Sequence, residues 1–332
     1  MNIRIVEGTY KIRGKETDMT GLVFPLVEGF KVGAQGGYVT VDGAAVNGFP
    51  DRNIKIKVAN PEGYEQVAEG VETTVREESD AEIVERIRER FDMLKDMTKA
   101  VKKGNVRAMI VSGPPGVGKS HGVEEVLDRY ATIETLGGLK SHEVIKGAMS
   151  AIGLYCKLYK MADKGKVVVF DDCDSIFNDE LSLNILKAAL DSKKVRTINW
   201  NTDSFKLRNE GVPDSFRFEA SAIFITNLKF DKVKGKLREH LEALESRCHY
   251  MDLTIDTDKE KMLRIKQVTD DGMLDAYDIE DLVKEEIMDF IDINKKQLRE
   301  LSLRTVLKVA ELAAAFPDRW EAIAENTVMQ NR

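Results

Sequence analysis

Cysteine is scarce in this chain of 332 residues. Its three cysteines, Cys156, Cys173 and Cys248, form no C-x-x-C pair. That leaves neither a disulfide framework nor a thiol metal knuckle to build on. The four histidines, His121, His142, His240 and His249, show no zinc-ligand spacing. Reduced, structural thiols point to a cytoplasmic setting. Long apolar runs are also missing. None approaches the ~18 residues that a membrane span requires, so no membrane partner is expected. The opening "MNIRIVEGTYKIRG" lacks the apolar core of a secretory signal. No protease, nuclease or polymerase constellation is visible, and there is no internal repeat. With only seven prolines, 42% hydrophobic and 32% charged residues, the composition is that of a globular chain. The formal net charge of −7 argues against a passive nucleic-acid coat, but leaves room for a local basic channel.

What is present divides into four blocks. Residues 1–60 alternate apolar and polar positions in "NIRIVEGTYKIR" and "NIKIKV", with turn residues between, and predict a small β-rich module. Residues 61–104 read as a polar linker followed by an amphipathic helix. Ile83, Ile87, Phe91, Leu94 and Val101 recur at helical spacing, Ser79 or Asp80 can cap the start, and Gly104 can close the end. In residues 105–256, strands ("RAMIVSG", "HEVIKG", "KVVVFDD", "SAIFITN", "HYMDLTI") alternate with helices, which predicts a mostly parallel five-stranded sheet covered on both faces. Residues 257–332 are helical throughout. Their acidic stretch from Asp270 to Asp292, ten acids and one lysine, reads as a solvated face.

Two motifs carry chemistry. "GPPGVGKS" (Gly113, Pro114, Pro115, Gly116, Val117, Gly118, Lys119, Ser120) fits the phosphate-loop pattern and sits between a predicted strand and helix. Its glycines let backbone N–H groups face phosphate oxygens, the helix N-terminus adds partial positive charge, and His121 follows directly. Lys119 is suited to the β- and γ-phosphates of ATP and Ser120 to Mg2+. Fifty-two residues after Lys119, the apolar run Val167–Phe170 ends in two carboxylates. Asp171 is suited to complete the magnesium site and Asp172 to polarise the attacking water. Asp174 reads as a helix cap.

With these motifs the chain resembles AAA+ ATPases, phage-encoded members in particular, over about residues 80–316. Walker A is "GPPGVGKS" and Walker B is "VVVFDD". Asn227, ending "AIFITN", stands where the family has sensor 1. Arg247 in "ALESRCHYMDL" stands where it has an arginine finger, with Arg238 as runner-up, and Arg304 in "LSLRTVLKV" stands where it has sensor 2 on a lid helix. The resemblance implies a P-loop AAA+ core, a C-terminal helical lid and a Mg2+-dependent ATPase. It also implies a homo-oligomeric ring, a hexamer by family expectation, in which Arg247 acts on the neighbouring subunit's nucleotide. For a phage-encoded protein the compartment is the host cytoplasm. The chain departs from the family at Asp172, where Glu is usual, and this puts the rate of hydrolysis in question.

The substrate of such a motor is less legible. The segment after the second strand, "KGAMSAIG", offers Lys146 and one large apolar residue, Met149. Tyr155 and Tyr159 read as core. The insertion "KKVRTINWNTDSFKLRNEGVPDSFRFEA" predicts a hairpin, and Trp200 within it is either a base-stacking or a packing residue. From Lys193 to Arg217 it carries six basic and three acidic residues, a local reversal of charge. Lys193, Lys194, Arg196, Lys206 and Arg208, with Lys146, are the candidate phosphate contacts for DNA in a central channel. Three readings follow: a DNA translocase or helicase, a protein-remodelling ATPase with the β-rich module as docking domain, or a clamp-loader- or helicase-loader-like switch.

Overall fold

The computed structural model describes residues 1–12, 15–34, 36–46, 49, 52–67, 78–135, 141–230 and 233–330. They form two compact units, residues 1–86 and 87–332.

The first unit holds a seven-stranded antiparallel sheet. Its strands are β1 (Asn2–Ile5), β2 (Thr9–Ile12), β3 (Lys15–Asp18), β4 (Val23–Gly33), β5 (Gly36–Asp42), β6 (Asn53–Lys57) and β7 (Tyr64–Val67), in the order β3-β2-β6-β5-β4-β1-β7. Alternation decides what it buries: in β6, Ile54 and Ile56 point inward while Asn53, Lys55 and Lys57 face water. Ile3, Ile5, Phe24, Val39 and Val41 complete that core. The module therefore extends past residue 60. Asn60 caps a short turn at Pro61–Gly63, accepting from the Glu62 N–H at 3.0 Å, and β7 then pairs with β1. As an edge strand β7 is largely polar, which is why its sequence reads as linker. Residues 68–77 of that expected linker lie outside the described residues.

Helix α1 (Asp80–Lys102) begins with a capping box. Ser79 Oγ accepts from the Glu82 N–H at 3.3 Å, and Glu82 Oε2 accepts from the Ser79 N–H at 3.0 Å. Gly104, at φ 75°, ends it. The expected apolar stripe from Ile83 to Val101 is buried.

The second unit continues with β8 (Ala108–Ser112), α2 (Lys119–Thr135), β9 (His142–Lys146), α3 (Ala151–Lys160), β10 (Val167–Asp171), α4 (Ser175–Asn178) and α5 (Glu180–Ala189). Then follow β11 (Thr197–Asn199), α6 (Phe205–Asn209), β12 (Ser215–Arg217), β13 (Ser221–Thr226), α7 (Lys236–Glu245) and β14 (His249–Asp252). The main sheet is parallel, in the order β14-β8-β13-β10-β9. The three inner strands, β8, β13 and β10, are buried at every residue, as unbroken apolar runs in a doubly covered sheet should be. Helices α3, α4, α5 and α7 pack on one face through Leu154, Phe177, Leu186 and Leu241.

The insertion forms the expected hairpin, with Thr197 opposite Arg217, and its tip carries α6. Trp200 packs 5.4 Å from Tyr155, so it is a packing residue. Tyr155 is fully buried and donates to the Pro213 carbonyl at 2.9 Å, but Tyr159 stays 37% exposed beside Phe216. The lid comprises α8 (Asp258–Val268), α9 (Asp281–Asn294), α10 (Leu303–Ala315) and α11 (Trp320–Val328) around Ile287, Val306 and Trp320. Among the described residues, no helix is long and apolar enough to cross a membrane.

Candidate active site

Strand register assembles the site. Pairing sets Asp252 beside Ser112 and Ser112 beside Thr226, and one position earlier Ile225 lies between Val111 and Asp171, whose other neighbour is Lys146. The carboxyl ends of all five strands thus reach one edge, where open α/β sheets bind ligands. The phosphate loop leaves β8 at this edge. Gly116 and Gly118 take φ of 68° and 100°, which side chains disfavour. A Cβ on Gly116 would also lie 2.6 Å from Ser302 Cβ, because the start of α10 sits on the loop and the Leu303 N–H donates to the Gly116 carbonyl at 3.0 Å.

Lys119 opens α2 and is 5% exposed. Its Nζ donates to the carbonyls of Gly113 and Pro114 at 2.7 and 2.8 Å, and to Asn227 Oδ1 at 2.8 Å. Asn227 Nδ2 in turn donates to Asp172 Oδ1 at 2.9 Å. One amide thereby joins the phosphate-loop lysine to the candidate base, using both its acceptor and its donor. Asp172 has φ 52°, the one non-glycine residue with positive φ among the described residues. Aspartate tolerates that region better than most, and a strained residue held by a polar network is typical of a functional site.

Ser120 Oγ donates to Asp171 Oδ1 at 2.9 Å. The two oxygens suit a hard cation such as magnesium. They do not enclose one: among the described residues no cluster of three His, Cys, Asp or Glu side chains could hold a metal. A magnesium ion here would need phosphate oxygens, so the residues fit a metal–nucleotide complex. Lys146 ion-pairs with Asp171 Oδ2 at 3.2 Å and with Glu124 at 2.9 Å, which raises its own pKa, chiefly through the Glu124 contact.

Burial depresses the Lys119 pKa to about 8; Asp172 opposes the shift and Arg304 adds to it. An anion entering beside Lys119 would therefore favour its charged form and raise the pKa again. Asp174 shifts upward, mainly through burial. It stands at the N-cap position of α4, as expected, but its side chain does not cap the helix. It makes no cap hydrogen bond and instead accepts from Thr226 Oγ1 at 2.7 Å, since its side chain faces the sheet rather than the helix end.

These groups open onto a cleft of about 710 Å3 between the phosphate loop, α1 and the lid. Gly116, Gly118, Lys119, Ser120, His121, Asp171, Asp172, Asn227 and Arg304 all line it. Three further lining residues escape sequence reasoning. Phe91 reads as one more apolar position of α1, and Arg264 and Gln267 as polar positions of a lid helix. The Lys146–Asp171 pair was equally hidden, because only strand register joins them.

The other candidates are elsewhere. Arg247 is exposed at the end of α7, away from the cleft, donating to the Ala243 carbonyl at 2.5 Å and forming no ion pair with Glu242 or Glu245. Arg238 pairs with Glu242 at 2.6 Å. Arg196 is not a surface cation: it is buried, donates to the carbonyls of Ala189 and Ala220 at 2.9 Å each, and lies over Phe218. Those carbonyls flank the hairpin base, and the guanidinium satisfies both. Lys146 is held by its two carboxylates. Arg208 is exposed but paired with Asp203 at 2.5 Å. Lys193, Lys194 and Lys206 are exposed. Met149 is half-buried against the core.

The parallel sheet, phosphate loop, acidic strand tip, polar neighbouring strand end and helical lid are all present, as the motifs implied. No family model matches the sequence. An uncharacterized 36.7 kDa protein from the nrdC-mobD intergenic region of Enterobacteria phage T4 is 34% identical over 260 residues, 77% of this chain and 78% of the phage protein. The chain belongs to that phage protein's family. Among solved structures it is similar to Aeropyrum pernix ORC1 in complex with DNA (TM-score 0.44, 11% identity, 71% of this chain). It is also similar to domain III of the Thermotoga maritima replication initiation protein DnaA (TM-score 0.43, 8% identity, 74% of this chain and 92% of that one). The chain spans 64% of the length of the ORC1 chain.

Proposed function

We propose that this chain is a magnesium-dependent ATPase that works as a ring and moves DNA. The hydrogen-bonded path from Lys119 through Asn227 to Asp172, beside the Ser120–Asp171 pair, carries the reading. It sets a phosphate-binding cation, a polar relay and a carboxylate base in one cleft. The phosphate-loop amides and Lys119 bind the β- and γ-phosphates. Ser120 and Asp171 hold the metal, which when bound offsets negative charge on the phosphates. Asp172 accepts a proton from the attacking water, and Asn227 orients it. Arg304 faces the nucleotide from the same subunit. Arg247, exposed and outside its own cleft, is available to a neighbour's.

DNA as the substrate rests on the exposed Lys193, Lys194 and Lys206 of the insertion. The test is steady-state ATP turnover, alone and with single-stranded DNA, duplex DNA or RNA, at two salt concentrations. Salt-sensitive stimulation by DNA, lost when those three lysines become glutamates, supports a DNA motor. Turnover indifferent to every polymer removes DNA from the proposal, and Lys119→Ala protein that hydrolyses ATP normally removes the ATPase.

A further inference from the structure

Arg264 is a half-buried cation with no direct ion pair among the described residues. It projects from α8, and its guanidinium lies 3.6 Å from the centre of the Phe91 ring. Nη1 donates to Gln267 Oε1 at 2.8 Å, and Nε is buried with no hydrogen-bond partner. Asp271 and Asp92 act on it through space, and it makes no ion pair among the described residues. Burial lowers its pKa to about 10. Such an arrangement costs stability unless something anionic completes it.

Its surroundings say what that is. A Cβ on Gly118 would lie 3.6 Å from Arg264 Nη2 and 3.8 Å from Phe91 Cε1. The free edge of the guanidinium therefore borders the turn that leads into Lys119, where glycine leaves open space. The carboxylates that act on Arg264 through space are Asp271 and Asp92, whereas Asp171, Asp172 and Asp174 act on Lys119, together with Arg304. Arg264 thus borders the turn of the phosphate loop, while Arg304 acts on Lys119, which Asn227 joins to the candidate base.

We propose that Arg264 is a second lid arginine, which contacts the diphosphate part of the nucleotide that ADP and ATP share. The inference rests on the nucleotide-binding reading above. Phe91 holds the guanidinium plane and Gln267 fixes Nη1, leaving Nη2, beside the Gly118 turn, for a phosphate oxygen in a charge-assisted hydrogen bond. Because the contact is common to ADP and ATP, Arg264 keeps the lid closed after hydrolysis, while Arg304 responds to the γ-phosphate.

The test measures affinities of Arg264→Met, Arg264→Lys, Arg304→Met and Lys119→Ala proteins for ADP, ATP and inorganic pyrophosphate, by displacement of a fluorescent nucleotide. It also measures melting temperatures without ligand. Arg264→Met should weaken all three ligands to a similar degree, roughly 10–100-fold. Its ligand-free melting temperature should hold or rise, since a partly desolvated charge with no direct ion pair has gone. Arg304→Met should weaken ATP more than ADP. Unchanged affinities in Arg264→Met, a loss confined to ATP, or a lowered ligand-free melting temperature with normal affinities overturns the proposal. If wild-type protein binds no nucleotide, the ATPase reading itself fails. If wild type binds, Lys119→Ala does not and Arg264→Met is unaffected, only the role of Arg264 fails.

Discussion

Lys119 carries two opposed demands. It must be buried to meet phosphates in a dry site, yet burial holds its pKa near 8 rather than 10.5. The folded, ligand-free protein binds fewer protons than the unfolded chain between these values. This group therefore destabilises the fold fully below about pH 8, and that penalty fades as pH rises toward 10.5. Nucleotide binding needs the charged form. At pH 8 about half a proton should be taken up per nucleotide bound, more at pH 9 and little at pH 7. Calorimetry in two buffers of different ionisation enthalpy reads this uptake, and equal heats at pH 8 would contradict the assignment. Asp172→Asn should keep the backbone, because asparagine also tolerates φ near 52° and its amide oxygen can still accept from Asn227. Nucleotide affinity should survive while single-turnover hydrolysis falls ~10²–10⁴-fold. Lys146→Met removes a cation already paired with Asp171, so manganese binding in the presence of nucleotide, followed by electron paramagnetic resonance, should tighten. Weaker binding would mean that Lys146 helps to form the metal site.

At the scale of elements, the insertion hairpin and the lid behave differently. Most of the hairpin was legible: "RTINW" and "SFRFEA" pair in the expected antiparallel sense. The tip was not, because Ser204 caps a short helix whose Leu207 is buried, leaving Phe205 73% exposed. Arg196 was misread for a related reason. An arginine in a basic stretch reads as a surface charge, and only the two carbonyls it meets show it to be an anchor. Arg196→Ala should cost about 2–4 kcal/mol in chemical denaturation, with two buried carbonyls left unpaired, and leave nucleotide affinity unchanged. A loss below ~0.5 kcal/mol would return Arg196 to the surface class. The lid bundle followed its helical periodicity closely, but its seat on Gly116 and the placing of Arg264 over Phe91 arise from contacts between separate segments.

For the molecule as a whole, the proposed ring would let one subunit complete another's site. Arg247 is exposed and outside its own cleft, so Arg247→Ala protein should bind nucleotide normally and lose turnover. A supplied arginine of this kind contributes ~10³–10⁵ in rate. Mixing it with Asp172→Asn protein should restore part of the activity, because some interfaces then pair an intact base with an intact arginine. If subunit exchange is demonstrated and no activity returns, Arg247 does not act across an interface.

Local patterns in the chain were enough for the phosphate loop, the acidic strand tip, the five parallel strands, the helical lid and the antiparallel module. Each follows from near-neighbour spacing: period two, period three to four, or a glycine-rich turn before a helix. The pairing of Lys146 with Asp171, the burial of Arg196, the strand after residue 60 and the stacking of Arg264 on Phe91 lay beyond such patterns. Each depends on which distant segments share a sheet edge or a cleft wall. That is settled when the core packs, by register and by the need to satisfy buried polar groups.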